Sequence, residues 1–169
     1  WGAHMFDIVQ WALEMDHSGP IAFIPPAMAD AKSGLQYNYA NGVQVYHKHW
    51  GQENAIQFIG TEGTIEVSRS KLTFSNPKLK DLTFKSADKR VHYSSNHYAD
   101  WIKSIKDRTS PVAPIEVGHR SATVCNAINI AYELQKEIKW NPQTEIFDNS
   151  YANLMKARPY RGKWDYTDY

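Results

Sequence analysis

Along residues 4–14 the apolar positions Met5, Ile8, Val9, Ala12 and Leu13 recur at three- and four-residue steps, which predicts an amphipathic helix with one buried face. Gly19-Pro20 is its expected stop. In the middle third the period shortens to two. Tyr37 to Tyr39 and then Val43, Val45 and His47 flank Asn41-Gly42, so two strands joined by a two-residue hairpin turn are predicted. Ala55 to Ile59 and Thr64 to Val67 flank Gly60-Thr61-Glu62-Gly63 as a second hairpin, with Lys71 to Phe74 and Leu82 to Phe84 extending the same sheet. Connections this short imply antiparallel neighbours. Helical spacing returns after residue 94, with Tyr98, Trp101, Ile102 and Ile105 forming a stripe ahead of Ser110-Pro111. Residues 116–138 predict the longest helix, marked by Val117, Ser121, Val124, Ile128, Ala131 and Ile138, and the central packing role falls to it. From Asn141 to Tyr169, punctuated by Pro142, Pro159 and Gly162, the chain reads as an extended arm around a short helix near 150–157.

Helix, antiparallel strands, then helices is the order of an α+β fold: one open, mainly antiparallel sheet with helices on one face. Residues 1–169 are expected to form a single domain, with 141–169 as its C-terminal arm, lying across the sheet, a partner domain or a second subunit. The second sheet face then needs a cover. Alternating tyrosine, histidine and valine side chains are costly to expose, so a homo-oligomer joined through the sheet face is the simplest solution.

Composition narrows the function classes. With 42% hydrophobic and 13% aromatic residues over 169 positions, the chain can bury a real core and is not disordered. Lys+Arg 19 against Asp+Glu 18, interspersed, lacks the basic footprint of a nucleic-acid binder. No apolar run approaches the roughly 20 residues of a membrane helix, so neither nucleic acid nor membrane is an expected partner. The single Cys125 excludes an intrachain disulfide framework.

Chemistry concentrates near the start. His4 and Asp7, three residues apart, share one helix face, and an imidazole beside a carboxylate can transfer protons near neutral pH. The chain opens inside this motif without an initiator Met and reads as the C-terminal part of something larger. His47 and His49, two apart on a strand, have the spacing of metal ligands, but no third ligand accompanies them, and pocket or interface histidines are the better reading. His119 and Arg120 read as a structural cap or interdomain contact, and Cys125 as a small helix hydrophobe. Arg158, Tyr160, Arg161 and Trp164 suit either a sugar-binding edge or an arm that staples subunits.

Five segments in order carry a resemblance: Trp-Gly-Ala-His-Met-Phe-Asp-Ile-Val-Gln-Trp at 1–11, Phe-Ile-Gly-Thr-Glu-Gly at 58–63, Ala-Pro-Ile-Glu-Val-Gly-His-Arg-Ser-Ala at 113–122, Lys139-Trp140-Asn141-Pro142 and Arg158-Pro159-Tyr160-Arg161. Together they resemble the C-terminal domain of the glucose-fructose oxidoreductase / inositol dehydrogenase / rhizopine-catabolism (Gfo/Idh/MocA) family. The resemblance implies a two-domain enzyme in which an N-terminal Rossmann domain binds NAD or NADP and this domain completes a carbohydrate pocket. The dinucleotide glycine turn and the family's catalytic lysine are absent from this sequence, as is the aspartate that would precede Trp1. His4 matches the family's catalytic histidine and Asp7 its substrate-hydroxyl contact. His49 and Trp50 lie about where relatives carry an aromatic pocket residue ahead of Gly60. The implied reaction is hydride transfer from a sugar, polyol or glycoside, with no turnover by this domain alone. Two rivals share the fold: a glycosidase using NAD transiently, and a non-catalytic sugar-binding or interaction domain.

Overall fold

The computed structural model describes residues 2–80 and 92–162, an α+β arrangement of helices with antiparallel sheets. In chain order the elements are α1 (Gly2–Ala12), β1 (Ala22–Ile24), β2 (Gln36–Asn38), β3 (Gln44–Tyr46), β4 (Ala55–Gly60), β5 (Gly63–Ser68), β6 (Leu72–Phe74), α2 (Pro77–Lys80), α3 (His97–Asp107), α4 (Ile115–Leu134), β7 (Ile138–Asn141), β8 (Ile146–Phe147) and α5 (Ser150–Leu154). The expected extension at Leu82 to Phe84 lies outside the described residues. The strands divide between two sheets, ordered β3-β2-β1-β7-β8 and β4-β5-β6. The chain likewise divides into two compact units, the first built from 1–17 and 50–121, the second from 18–49 and 122–169.

In the first unit, α1 stops well before Gly19-Pro20. Met15 N donates to Gln10 O at 2.8 Å and Glu14 N to Trp11 O at 3.0 Å, with Glu14 left-handed at φ 58°, the double bond of a Schellman cap. Gln10 adds its side-chain amide to Met15 O at 3.0 Å. Strands β4 and β5 pair from Ala55↔Ser68 to Gly60↔Gly63, leaving Thr61-Glu62 as the loop. One face of this sheet is apolar, aligning Ile56, Val67 and Leu72, then Phe58, Ile65 and Phe74. The other aligns Gln57, Glu66 and Thr73, and Glu66 accepts from both neighbours at 2.8 and 3.2 Å.

Helix α3 is fixed at its start by Asn96, whose side-chain oxygen accepts from Tyr98 N and Ala99 N. Its expected apolar stripe is present but stands exposed: Tyr98, Trp101, Ile102 and Ile105 keep between 47% and 68% of their surface. Fully buried described residues of this unit are Val9, Gln10, Ile56 and Ser121.

The second unit holds most of the core. Central strand β1 is flanked by β2 and β7, which aligns Phe23 with Tyr37 on one side and Ile138 on the other, all 0–1% exposed. Phe23 and Tyr37 rings lie 6.0 Å apart, and Tyr37 and Tyr39 meet edge-on at 5.9 Å. The tyrosines expected to need a partner's cover are therefore largely inside: only Tyr46, 44% exposed, stands on the open face, among Gln36, Asn38, Gln44 and Lys139. Val124, Ala127, Ile128 and Ala131 of α4 are buried, in keeping with a packing helix.

Three boundaries differ from the sequence expectation. The Asn41-Gly42 hairpin has a three-residue loop, since Tyr39 N donates to Val43 O and Gly42 N to Tyr39 O, with Gly42 at φ 88° supplying the bulge. Helix α4 ends at Leu134, where Gln135 turns left-handed at φ 49°, so Ile138 is buried as a strand residue. The segment expected as a loose arm begins as a hairpin. Asn141 Oδ1 accepts from Gln143 N and Thr144 N, the chain returns as β8, and the Trp140 and Phe147 rings meet at a tilt, 4.4 Å apart.

Candidate active site

Helix α1 carries both leading candidates near its N-terminus: His4 is exposed and Asp7 half-buried. Helical geometry sets their Cβ atoms roughly 5–6 Å apart on one face. Asp7 has a third neighbour. Ser121 Oγ, on the first half of α4, donates to Asp7 Oδ1 at 2.7 Å across 114 residues of sequence, both groups lying within the first unit. Ser121 is 5% exposed, one of the few buried polar side chains. Asp7 Oδ2 has no hydrogen-bond partner among the described residues.

By its spacing alone Ser121 is a stripe position of the long helix. A hydroxyl interrupting Val117, Val124 and Ile128 on one helix face must find a partner inside the protein, but the pattern does not say which. Beside it, Arg120 Nε meets Glu116 Oε1 at 2.7 Å, an i, i+4 pair along α4 that agrees with a structural role for Arg120, while His119 is exposed.

His49 and Trp50 are adjacent in sequence but divided between the units. His49 is exposed, beyond the end of β3 at Tyr46, so it does not share a strand face with His47. Trp50 is half-buried, and its indole Nε1 is enclosed without a hydrogen-bond partner among the described residues. A buried N–H left so costs about 1–3 kcal/mol, which a ligand or water oxygen would recover. No group of three His, Cys, Asp or Glu side chains among the described residues could hold a metal ion.

Cys125 is half-buried, and burial pushes its thiol above the ordinary range, which withholds the thiolate a nucleophile needs. Arg158, Tyr160 and Arg161 are exposed, and Trp164 lies outside the described residues. In the second unit a shallow concavity of about 330 Å³ opens on the β7–β8 hairpin, lined by Lys139, Trp140, Phe147 and Asp148. It contains none of the candidate residues, and Asp148 Oδ1 is already taken by Lys139 N at 2.9 Å.

The described residues form no dinucleotide cradle. Every strand pairing among them is antiparallel, whereas that cradle needs a glycine-rich turn between a parallel strand and its crossover helix. Among them, too, no helix is long and apolar enough to cross a membrane.

Comparison with known proteins gives one finding. The model of an oxidoreductase family, specifically its C-terminal alpha/beta domain, matches residues 1–166. No curated protein and no solved structure matches the chain.

Proposed function

The chain belongs to the Gfo/Idh/MocA oxidoreductase family as its C-terminal domain, and from that premise we propose that it forms the substrate-binding part of an NAD(P)-dependent enzyme oxidising a sugar, polyol or glycoside. The observation that carries this reading is the Asp7 carboxylate, tethered by Ser121 through one oxygen and open at the other, one helical turn from His4.

In this reading His4 accepts the proton of the hydroxyl being oxidised, because an alcohol becoming a carbonyl must lose that proton along with its hydride. Asp7 accepts a hydrogen bond from a neighbouring hydroxyl and so fixes which carbon faces the histidine. Trp50, in the same unit, is the candidate pocket-lining residue, a role supported by an indole N–H that lacks an acceptor among the described residues. The dinucleotide is held by an N-terminal domain, since the antiparallel strands of the described residues do not fit it. Assembly is through the open sheet face of Gln36, Asn38, Gln44 and Tyr46, joining copies into a homo-oligomer.

The test uses the full-length protein with NAD or NADP and a panel of D-glucose, D-xylose and myo-inositol, following reduced nicotinamide. Turnover of at least one panel member is expected, with His4→Ala lowering kcat by about 10² to 10⁴. A His4→Ala enzyme within about threefold of the parent would remove the proton-transfer role.

A further inference from the structure

We infer that Ser121 is a positioning residue that holds Asp7 in the orientation needed to take a substrate hydroxyl, an inference that rests on the reading of Asp7 given above. A serine within a helix commonly returns its hydroxyl to the carbonyl four residues back. Ser121 does otherwise: its Oγ reaches a different helix and donates to Asp7 Oδ1 at 2.7 Å, from a site only 5% exposed. A hydroxyl has a single proton, so that donation is exclusive.

Two consequences follow for the carboxyl group. The terminal torsion of an aspartate is broad when nothing holds it, and a buried hydrogen bond to one oxygen removes that freedom. The plane of the group, and with it the direction of Oδ2, is then set by α4 rather than by solvent. A carboxylate only accepts hydrogen bonds, so with Oδ1 taken by Ser121 the oxygen left open selects a hydrogen-bond donor. A hydroxyl beside the reacting carbon fits, whereas a carbonyl or carboxylate at that position is rejected. Asp7 contributes the contact and Ser121 its aim.

The experiment is a mutant cycle in the full-length protein, using whichever of D-glucose, D-xylose and myo-inositol it turns over best. Ser121→Ala is expected to raise KM about tenfold while kcat stays within threefold, and Ser121→Thr, which restores the hydroxyl, to return KM to within threefold. Ser121→Val, isosteric with Thr but lacking the hydroxyl, should match Ser121→Ala, so the Thr and Val pair decides the matter if the alanine variant folds poorly. In an Asp7→Asn background Ser121→Ala should change KM less than twofold further. An unchanged KM in Ser121→Ala with only a lowered melting temperature would overturn the inference, as would full additivity with Asp7→Asn. If Asp7→Asn itself leaves kcat/KM within threefold, or no panel member is turned over by the parent, the underlying reading falls and the inference with it. An impaired Asp7→Asn beside a silent Ser121→Ala removes the inference alone.

Discussion

Gly63 and Ser75 are packed so closely that a Cβ on the glycine would lie 2.9 Å from Ser75 Oγ. That hydroxyl also accepts from Thr64 N at 2.7 Å, and Ser75 N donates to Thr64 O at 2.9 Å, so the β6–α2 junction is bolted to the start of β5. Leu79 and Asn76 close the remaining space at 3.1 and 3.2 Å, and Gly63 sits at φ 150°, a conformation L side chains rarely adopt. Gly63→Ala should therefore cost about 2 kcal/mol, the combined effect of backbone strain and crowding. Urea denaturation would register this as a lower midpoint, whereas Gly19→Ala, where an added Cβ meets nothing within 4 Å, should move the midpoint far less.

Asn153 stitches α5 to β8. Its amide nitrogen donates to Phe147 O at 2.8 Å and Asn149 O at 3.0 Å, while its oxygen accepts from Phe147 N at 2.9 Å. Asn153→Ala removes all three and strands a backbone N–H beside a phenylalanine that is 4% exposed. A loss of about 2–3 kcal/mol is expected, read as a reduced melting temperature, with Asn153→Asp keeping only the accepting half.

Alkaline pH should weaken the second unit through Tyr37 and Tyr39. Burial pushes both phenols well above their ordinary value near 10. The folded state then keeps protons that the unfolded chain releases, so stability is intact below pH 10 and falls above it. Each tyrosine contributes a slope of up to about 1.4 kcal/mol per pH unit. Urea midpoints measured at pH 9 and pH 11 should diverge in the parent and converge in a Tyr37→Phe/Tyr39→Phe variant.

Cys125 should alkylate slowly in the folded chain. With its thiol raised by burial, the thiolate fraction at pH 8 lies below that of a free cysteine. Iodoacetamide is expected to react at least about threefold faster once urea has unfolded the chain; equal rates would contradict the burial.

Elements with a long, regular pattern were legible in the sequence: α1, the β4–β5 hairpin with its glycines, α3 and the body of α4. Strand β1 was not. Three residues, Ala22-Phe23-Ile24, ahead of Pro25-Pro26 give too few positions for a period, yet Phe23 is wholly buried at the centre of the larger sheet. Ile138 fits the helical step from Ala131 as well as it fits a strand, and only the left-handed Gln135 decides between them. At the candidate site, His4 and Asp7 were readable because neighbours on a helix are fixed by local geometry. Ser121 was not, because its meeting with Asp7 depends on how α4 approaches α1, which no local pattern encodes.

The pairing of Phe23 with Ile138 sets a timetable for the newborn chain. Strand β1 leaves the ribosome roughly 115 residues ahead of its neighbour β7. Closing so long a loop costs about 4 kcal/mol in chain entropy. Until then β1 can pair only with β2, and the aromatic side of that partial sheet stays wet. Residues 50–121, which complete the other unit, are made in the interval. The larger sheet is thus completed only after residues 50–121 have been made, although its central strand precedes them, and a chain stopped before Ile138 would present Phe23 and Tyr37 to solvent as an adhesive surface.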